Sequence, residues 1–442
     1  MRQISLMLFL SLVLPATGQQ QLLNLNKVDR EAWFSELGFG MFIHWSYDVE
    51  LGMVISHSMV GASEDYLDRY IHELPVRFNP DSFEPDEWAE IAKEAGMKYM
   101  VFTTKHHNGF CMYDTRTTDY NIINTPFGKD ATREVIDAFR NAGIAIGIYF
   151  SPDDFHWLYR NNILISRSRP VSQPANNPDL MEYLKVQMRE LMTNYGTIDI
   201  VFIDGNHAVT NTEIAKVCWE LNPDVVVTRG AIETPEQKLP DRPLPSPWEA
   251  CFTAGDQWQY RPTNENYKSA REVIEMLIET RAKGGNLLLN VGPTPGGTIP
   301  PEQAGILNEV ALWMFINKES MEGIEPWVVT REGDVWLTRK KRQPAVYAYL
   351  TRPLNWRLGD RKVFVLQSVK STLDTRVSVL GHAGKVLEYH PEVDPSAICV
   401  QTPEGLSVSI TMAHRIYNDR KWPNPVVVKL DNVEVANGYM ME

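Results

Sequence analysis

Two carboxylates in this chain stand where a glycosidic bond could be broken. The stretch Ile198-Asp-Ile-Val-Phe-Ile-Asp204-Gly205 has the pattern of a buried strand that ends in an acid. The two-residue period puts Ile198, Ile200, Phe202 and Asp204 on one face, so an apolar column terminates in a carboxylate. Farther along, Pro247-Trp-Glu249-Ala-Cys-Phe252 presents a second acid on a second candidate strand. Two carboxylates on separate strands are the equipment for glycoside cleavage. The plainer use of each acid is to cap the helix that follows its strand. The neighbouring groups decide between these uses.

Other apolar runs end in polar clusters: Phe42-Ile-His44-Trp45, then Thr103-Thr-Lys105-His106-His107-Asn108-Gly109-Phe110, then Tyr149-Phe-Ser-Pro-Asp153-Asp154, then Thr228-Arg229. Such groups are costly in a core and make sense if they line one cleft. His44, His106, His107, Tyr149 and Arg229 can exchange hydrogen bonds with hydroxyls, while Trp45, Trp248 and Trp258 can pack on the apolar face of a sugar ring. A lone His such as His44 also serves commonly as a hydrogen-bonded core residue. A mononuclear metal site from His44, one of the His106/His107 pair and Asp204 is the competing chemistry. Adjacent strand residues point to opposite faces, which opposes a shared metal shell, so no metal or other cofactor is expected. The Gly-rich stretch from Lys283 to Gly297 lacks the order of a phosphate loop, and its glycines flank a strand.

The elements that must position these groups follow a βα rhythm from about residue 27 to 320. Candidate strands are 39–45, 99–107, 145–151, 198–205, 224–228, 248–252 and 287–291, with an eighth expected near 323–327. Helices fit between them at 86–95, 130–142, 179–195, 212–221, 267–282 and 302–317, several with an acidic start and a Gly stop. After Trp327 come short β-rich runs such as Ala345-Val-Tyr-Ala-Tyr-Leu350. The expected fold is an α/β chain: a (β/α)8-like TIM barrel over residues 19–328, then a C-terminal antiparallel β-sandwich over 329–442.

The 442 residues leave room for both units. A formal net charge of −13 argues against nucleic acid as partner, since phosphate binding needs clustered Lys and Arg. Residues 1–18 combine Arg2, the apolar run Ile4 to Leu14 and small residues up to Gly18, the layout of a secretory signal peptide. A periplasmic or secreted location is therefore expected. The run is too short to span a membrane, and no other segment approaches spanning length. Cys111, Cys218, Cys251 and Cys399 show no metal-site or framework spacing, so free thiols are expected.

With these residues in place, the chain resembles the α-L-fucosidases of glycoside hydrolase family 29. The resemblance rests on Gly38-Phe-Gly-Met-Phe-Ile-His-Trp45, Thr104-Lys-His-His-Asn-Gly-Phe110, Ile198 to Gly205, and Gly284-Gly-Asn-Leu-Leu-Leu-Asn-Val-Gly-Pro293. It implies that Asp204 is the nucleophile and Glu249 the general acid/base of a retaining reaction, with carboxyls roughly 5 to 5.5 Å apart. It also implies that His44, His106, His107, Tyr149 and Arg229 hold a terminal sugar of a fucosylated glycan. The chain departs from the family at three places. Phe202 stands where many members have Trp, Asn108 where they have Asp or Glu, and the loop after the first strand lacks the usual Glu-Trp pair, leaving His57, Glu50 or Glu64 as substitutes. An α-L-galactosidase acting on an L-galactose-containing glycan, a catalytically silent glycan-binding protein and a metal-dependent hydrolase are the alternative expectations.

Overall fold

The computed structural model describes residues 23–52, 56–351, 356–414 and 423–440. The expected signal peptide lies outside the described residues.

Apolar runs build seven strands: β1 (Phe39–Ile43), β2 (Tyr99–Lys105), β3 (Ala145–Phe150), β4 (Ile200–Ile203), β5 (Val226–Val227), β6 (Glu249–Thr253) and β7 (Asn286–Val291). All pair in parallel, in the order β5-β4-β3-β2-β1-β7-β6. The sheet wraps on itself, because one residue or more from every strand (Phe42, Val101, Tyr149, Ile200, Phe202, Val226, Cys251, Leu288) meets in one buried cluster. The alternate residues, such as Met41, Phe102, Ile148, Val201 and Leu289, face outward into a second, larger core among the helices. This two-sided burial is why the strands lack a polar face.

The helices are α1 (Val28–Leu37), α2 (Glu64–His72), α3 (Pro85–Glu94), α4 (Ala131–Asn141), α5 (Phe155–Arg160), α6 (Pro178–Asn194), α7 (Ala208–Leu221), α8 (Ala270–Ala282) and α9 (Pro301–Asn317). Their ends follow local chemistry. Asp130 caps α4 through Arg133 N–H, and Ser269 and Glu272 form a capping box on α8.

The expected eighth barrel strand is not where the sequence placed it. The run at 323–327 belongs to β8 (Ile324–Glu332), which pairs antiparallel with β9 (Val335–Lys340) and opens the C-terminal unit. The side of β6 away from β7 is instead lined by residues 233–237. Glu249 N donates to Glu233 O, Cys251 N to Pro235 O and Gln237 N to Cys251 O, a short parallel ladder. Pro235 within the segment and Pro240 just after it exclude a longer strand there.

The remaining strands are β10 (Ala345–Leu350), β11 (Arg361–Leu366), β12 (Val369–Val379), β13 (Ile398–Thr402), β14 (Gly405–Thr411) and β15 (Val426–Val435). They form a five-stranded antiparallel sheet, β12-β15-β10-β9-β8, and a three-stranded one, β11-β14-β13. The first of these docks on α8. Trp336 and Trp356 are 6% and 2% exposed, so neither offers a sugar platform, and Trp422 lies outside the described residues. The cysteines are free thiols.

Candidate active site

Asp204 follows directly on β4, where its backbone N–H still donates to Phe150 O on the neighbouring β3. The side chain is therefore delivered to the C-terminal rim of the barrel, where such folds keep their chemistry. Its Oδ1 accepts from Arg229 Nη1 at 2.9 Å and its Oδ2 from the Tyr149 hydroxyl at 2.7 Å. His107 Nε2 lies 3.6 Å from Oδ2. Burial alone would raise this carboxyl, but His107, Arg229 and the Tyr149 hydroxyl outweigh it and hold it well below the usual carboxylate range. Burial and the Asp204 charge keep Tyr149 protonated, so it stays a donor.

Three imidazoles stand around that acid. His44 Nδ1 meets Asn290 Oδ1 at 2.6 Å, His106 Nδ1 meets Ser56 Oγ at 2.6 Å, and His107 Nδ1 meets Ser151 Oγ at 2.5 Å. Burial pushes His44 down to about 4 and His107 down to about 3, and holds His106 well below the ordinary imidazole range. At neutral pH all three are uncharged, each with Nε2 left to exchange a hydrogen bond with a hydroxyl. Strand geometry opposed joint use of His106 and His107, yet their rings lie 4.2 Å apart. The reason is that β2 ends at Lys105, and the two histidines sit in a turn closed by Gly109 N–H to His106 O. His106, His107 and Asp204 offer ligand atoms within 4.8 Å of one another, a set that could hold a divalent ion. Arg229 already brings a positive charge to the same carboxylate, which opposes a cation there.

Two expected residues fall elsewhere. Glu249 opens β6, so it lies at the N-terminal end of the barrel interior, below Cys251 on the same inward face. It has no exposure and does not line the cavity; its Oε2 accepts from Tyr99 OH at 2.6 Å. Burial raises it to about 7. Trp45 is also fully buried, stacked on Phe83 and donating from Nε1 to Thr294 O, outside the cavity. Trp258 does line the cavity, with its ring 5.0 Å from that of His44.

A second carboxylate shares the cavity lining with Asp204, and sequence reasoning passed over it. Glu236 lines the cavity, and its Oε2 accepts from Arg229 Nη2 at 2.8 Å. One guanidinium therefore grips Asp204 and Glu236 together. The bridge between the backbones of Glu236 and Cys251 fixes this residue beside the cavity floor. That floor is apolar, made by Phe42, Phe202 and Cys251 with Trp258 at the side. Two further polar side chains, His57 and Arg167, complete the lining. No periodicity marks Glu236, His57 or Arg167, because Glu236 and Arg167 ride in loops and His57 in a single 3-10 turn, Ser56–Met59.

A model of the family described as Alpha-L-fucosidase matches residues 14–319. This chain belongs to the α-L-fucosidase family. Plasma alpha-L-fucosidase of Rattus norvegicus is 27% identical over 457 residues, covering 91% of this chain and 95% of its own. Tissue alpha-L-fucosidase of the same species is 30% identical over 402 residues, with 82% and 83% covered. Among solved structures, alpha-L-fucosidase isoenzyme 1 from Paenibacillus thiaminolyticus superposes with a TM-score of 0.73 at 30% identity, over 92% of this chain and 99% of that one. The protein is a glycoside hydrolase of the α-L-fucosidase type.

Within this fucosidase the three departures have local explanations. Asn108 Nδ2 donates to the buried Asp48 Oδ2 at 3.4 Å, where an Asp or Glu would set a second carboxylate against the first. Phe202 lies beneath Arg229, with the guanidinium 4.9 Å from its ring centre. Of the three substitutes for the missing Glu-Trp pair, His57 lines the cavity, whereas Glu50 and Glu64 are exposed.

Proposed function

We propose that this fucosidase releases terminal α-L-fucose by double displacement, with Asp204 as nucleophile and Glu236, rather than Glu249, as general acid/base. Asp204 attacks the anomeric carbon while Glu236 gives its proton to the departing glycosidic oxygen. Glu236 then takes a proton from water as that water displaces the sugar from Asp204. The observation that carries this reading is the single Arg229 guanidinium shared by both carboxylates. It supports a separation on the scale of roughly 5 to 5.5 Å that retaining enzymes use. Arg229 and Tyr149 keep Asp204 ionised and aimed, as attack requires.

The apolar floor of Phe42, Phe202 and Cys251 suits the 6-methyl group of fucose, and the neutral imidazoles suit its hydroxyls. An added hydroxyl at C6, as in L-galactose, would meet the floor without a partner, a discrimination of roughly 10- to 200-fold in an apolar pocket. The substrate class is a fucosylated oligosaccharide. We further propose export, on the strength of the signal-like residues 1–18. Among the described residues no helix is long and apolar enough to cross a membrane.

Release of nitrophenol from aryl α-L-fucoside and α-L-galactoside tests the reaction. Asp204→Asn should abolish turnover of the fucoside. Glu236→Ala should stall at the sugar–enzyme ester, and azide should relieve it by forming a fucosyl azide of retained configuration. Silence of the wild-type chain on both substrates, with sugar binding intact, would move the protein to the glycan-binding reading.

A further inference from the structure

Most charged and imidazole side chains in the cavity already have protein partners. His44 is held by Asn290, His106 by Ser56, His107 by Ser151, and Arg229 by Asp204 and Glu236. Arg167 and His57 differ. Arg167 uses only Nε, which donates to Asp153 Oδ2 at 2.7 Å, and its two terminal amino groups make no hydrogen bond to the described residues. His57 makes ring contacts with His107 at 5.3 Å and with His106 at 6.4 Å, but neither ring nitrogen is hydrogen-bonded to a described residue. Both side chains line the cavity, so their unused donors and acceptors face the place where a sugar would sit.

Their place along the wall is also specific. From Asp204 Oδ1 the chain of contacts runs through Arg229 to Glu236, where the leaving oxygen must be. From Oδ2 it runs the other way, through His107 at 3.6 Å to Asp153, 3.6 Å from the same ring, and on to Arg167. A pyranose placed with its anomeric carbon at Asp204, its leaving oxygen at Glu236 and the rest of its ring along this wall would offer its C3 and C4 hydroxyls to Arg167 and His57.

We propose that Arg167 and His57 form the specificity wall of this site, holding the 3- and 4-hydroxyls of the terminal sugar. The assignment rests on the reading of Asp204 as the attacking group. Asp153 anchors the guanidinium through Nε and leaves its two amino groups to donate to a vicinal pair of hydroxyls. His57 adds an acceptor and a donor from the opposite loop. Both residues come from connections between barrel elements: His57 between β1 and α2, Arg167 between α5 and α6. This is how a fixed catalytic centre acquires its own choice of sugar. A ligand lacking the matching hydroxyl would leave these donors unpaired in the closed complex, which discriminates far more than an apolar contact does.

The test uses the full chain with aryl α-L-fucoside and its 3-deoxy and 4-deoxy analogues, on wild type, Arg167→Ala, Arg167→Lys and His57→Ala. Arg167→Ala should lose about 100-fold in kcat/KM on the parent fucoside, yet only a few-fold on the analogue missing the hydroxyl it holds. Arg167→Lys should fall between, and His57→Ala should show the same selective pattern. An equal loss on all three substrates, or none on any, would overturn the proposal. Wild-type turnover that vanishes in Asp204→Asn tests the underlying reaction separately. If wild type turns over and Arg167→Ala matches it, only the specificity wall falls; if wild type is silent, both fall.

Discussion

Glu249 and Glu236 are the same residue type with opposite surroundings: one is sealed inside the barrel, the other lines the cavity. Burial lifts the Glu249 carboxyl from 4.5 to about 7, against the weaker opposing pull of Tyr99 and Thr228. The unfolded chain gives up this proton near pH 4.5, whereas the folded chain keeps it until about 7. Across that window the native state binds more protons, so stability falls as pH rises. Below the window the effect is absent; above it the penalty is on the order of 3 kcal/mol. Glu249→Gln keeps an acceptor for Tyr99 and carries no charge to desolvate. The melting temperature of Glu249→Gln should therefore gain on wild type between pH 4.5 and 7.5, with turnover changed by no more than a few-fold. Turnover lost as completely as in Asp204→Asn would return Glu249 to catalysis. On the acid side a different group acts. Asp204 stays ionised well below the ordinary range, so the acid limb of kcat/KM should fall near pH 4, where His44 gains its charge beside Arg229. A limb centred well above pH 5 in the pH–rate profile would contradict this.

Loops after β2 and β3 are locked together by one buried ion pair. Lys105 ends β2, and its Nζ lies 3.1 Å from Asp154 Oδ2, with neither side chain exposed. Asp154 also caps α5 through Trp157 N–H, and Phe155 N and His156 N donate to the carbonyls of His107 and Asn108. Gly109 follows, in the left-handed region at φ +84°, where a Cβ would come within 2.1 Å of Asp154 Oδ1. Removing one partner leaves a buried unpaired charge, so Lys105→Met or Asp154→Asn should each destabilise by about 3 to 5 kcal/mol in urea unfolding, and the double variant by less than their sum. The same elements explain what was legible in the sequence. His44, His106, His107, Tyr149, Asp204 and Arg229 were visible because each follows or ends an apolar run. Glu236 and Arg167 lie in connections with no period, and only the ladder to β6 or a single contact such as Asp153 brings them in, whereas His57 was reached through the missing Glu-Trp pair. Glu249 shared the apolar-run signature, but strand direction separates it from Asp204: one opens its strand, the other follows its strand's end. The eighth barrel strand was misplaced because prolines reduce its substitute, residues 233–237, to isolated bridges.

At the scale of the whole molecule, the C-terminal sheets supply none of the cavity's residues, which all lie between Phe42 and Trp258. They are nonetheless continuous with the barrel's outer core. One apolar cluster runs from Leu277, Ile278, Val310 and Trp313 on α8 and α9 into Leu337, Tyr347 and Val427 of the C-terminal sheet. Polar bonds cross the same junction: Trp313 Nε1 donates to Pro425 O at 2.8 Å and Arg271 Nη2 to Thr351 O at 2.7 Å. Ending the chain at residue 322 would bare that apolar face and leave the Trp313 indole without its buried acceptor. The expected outcome is aggregation on size-exclusion chromatography and a lower melting temperature. Any monomeric fraction should keep the KM of the full chain for an aryl fucoside, because each sugar-facing group is still present. A raised KM in that fraction would mean that the C-terminal sheets shape the cavity through the helices, and a soluble, fully stable truncation would mean that the shared core contributes little.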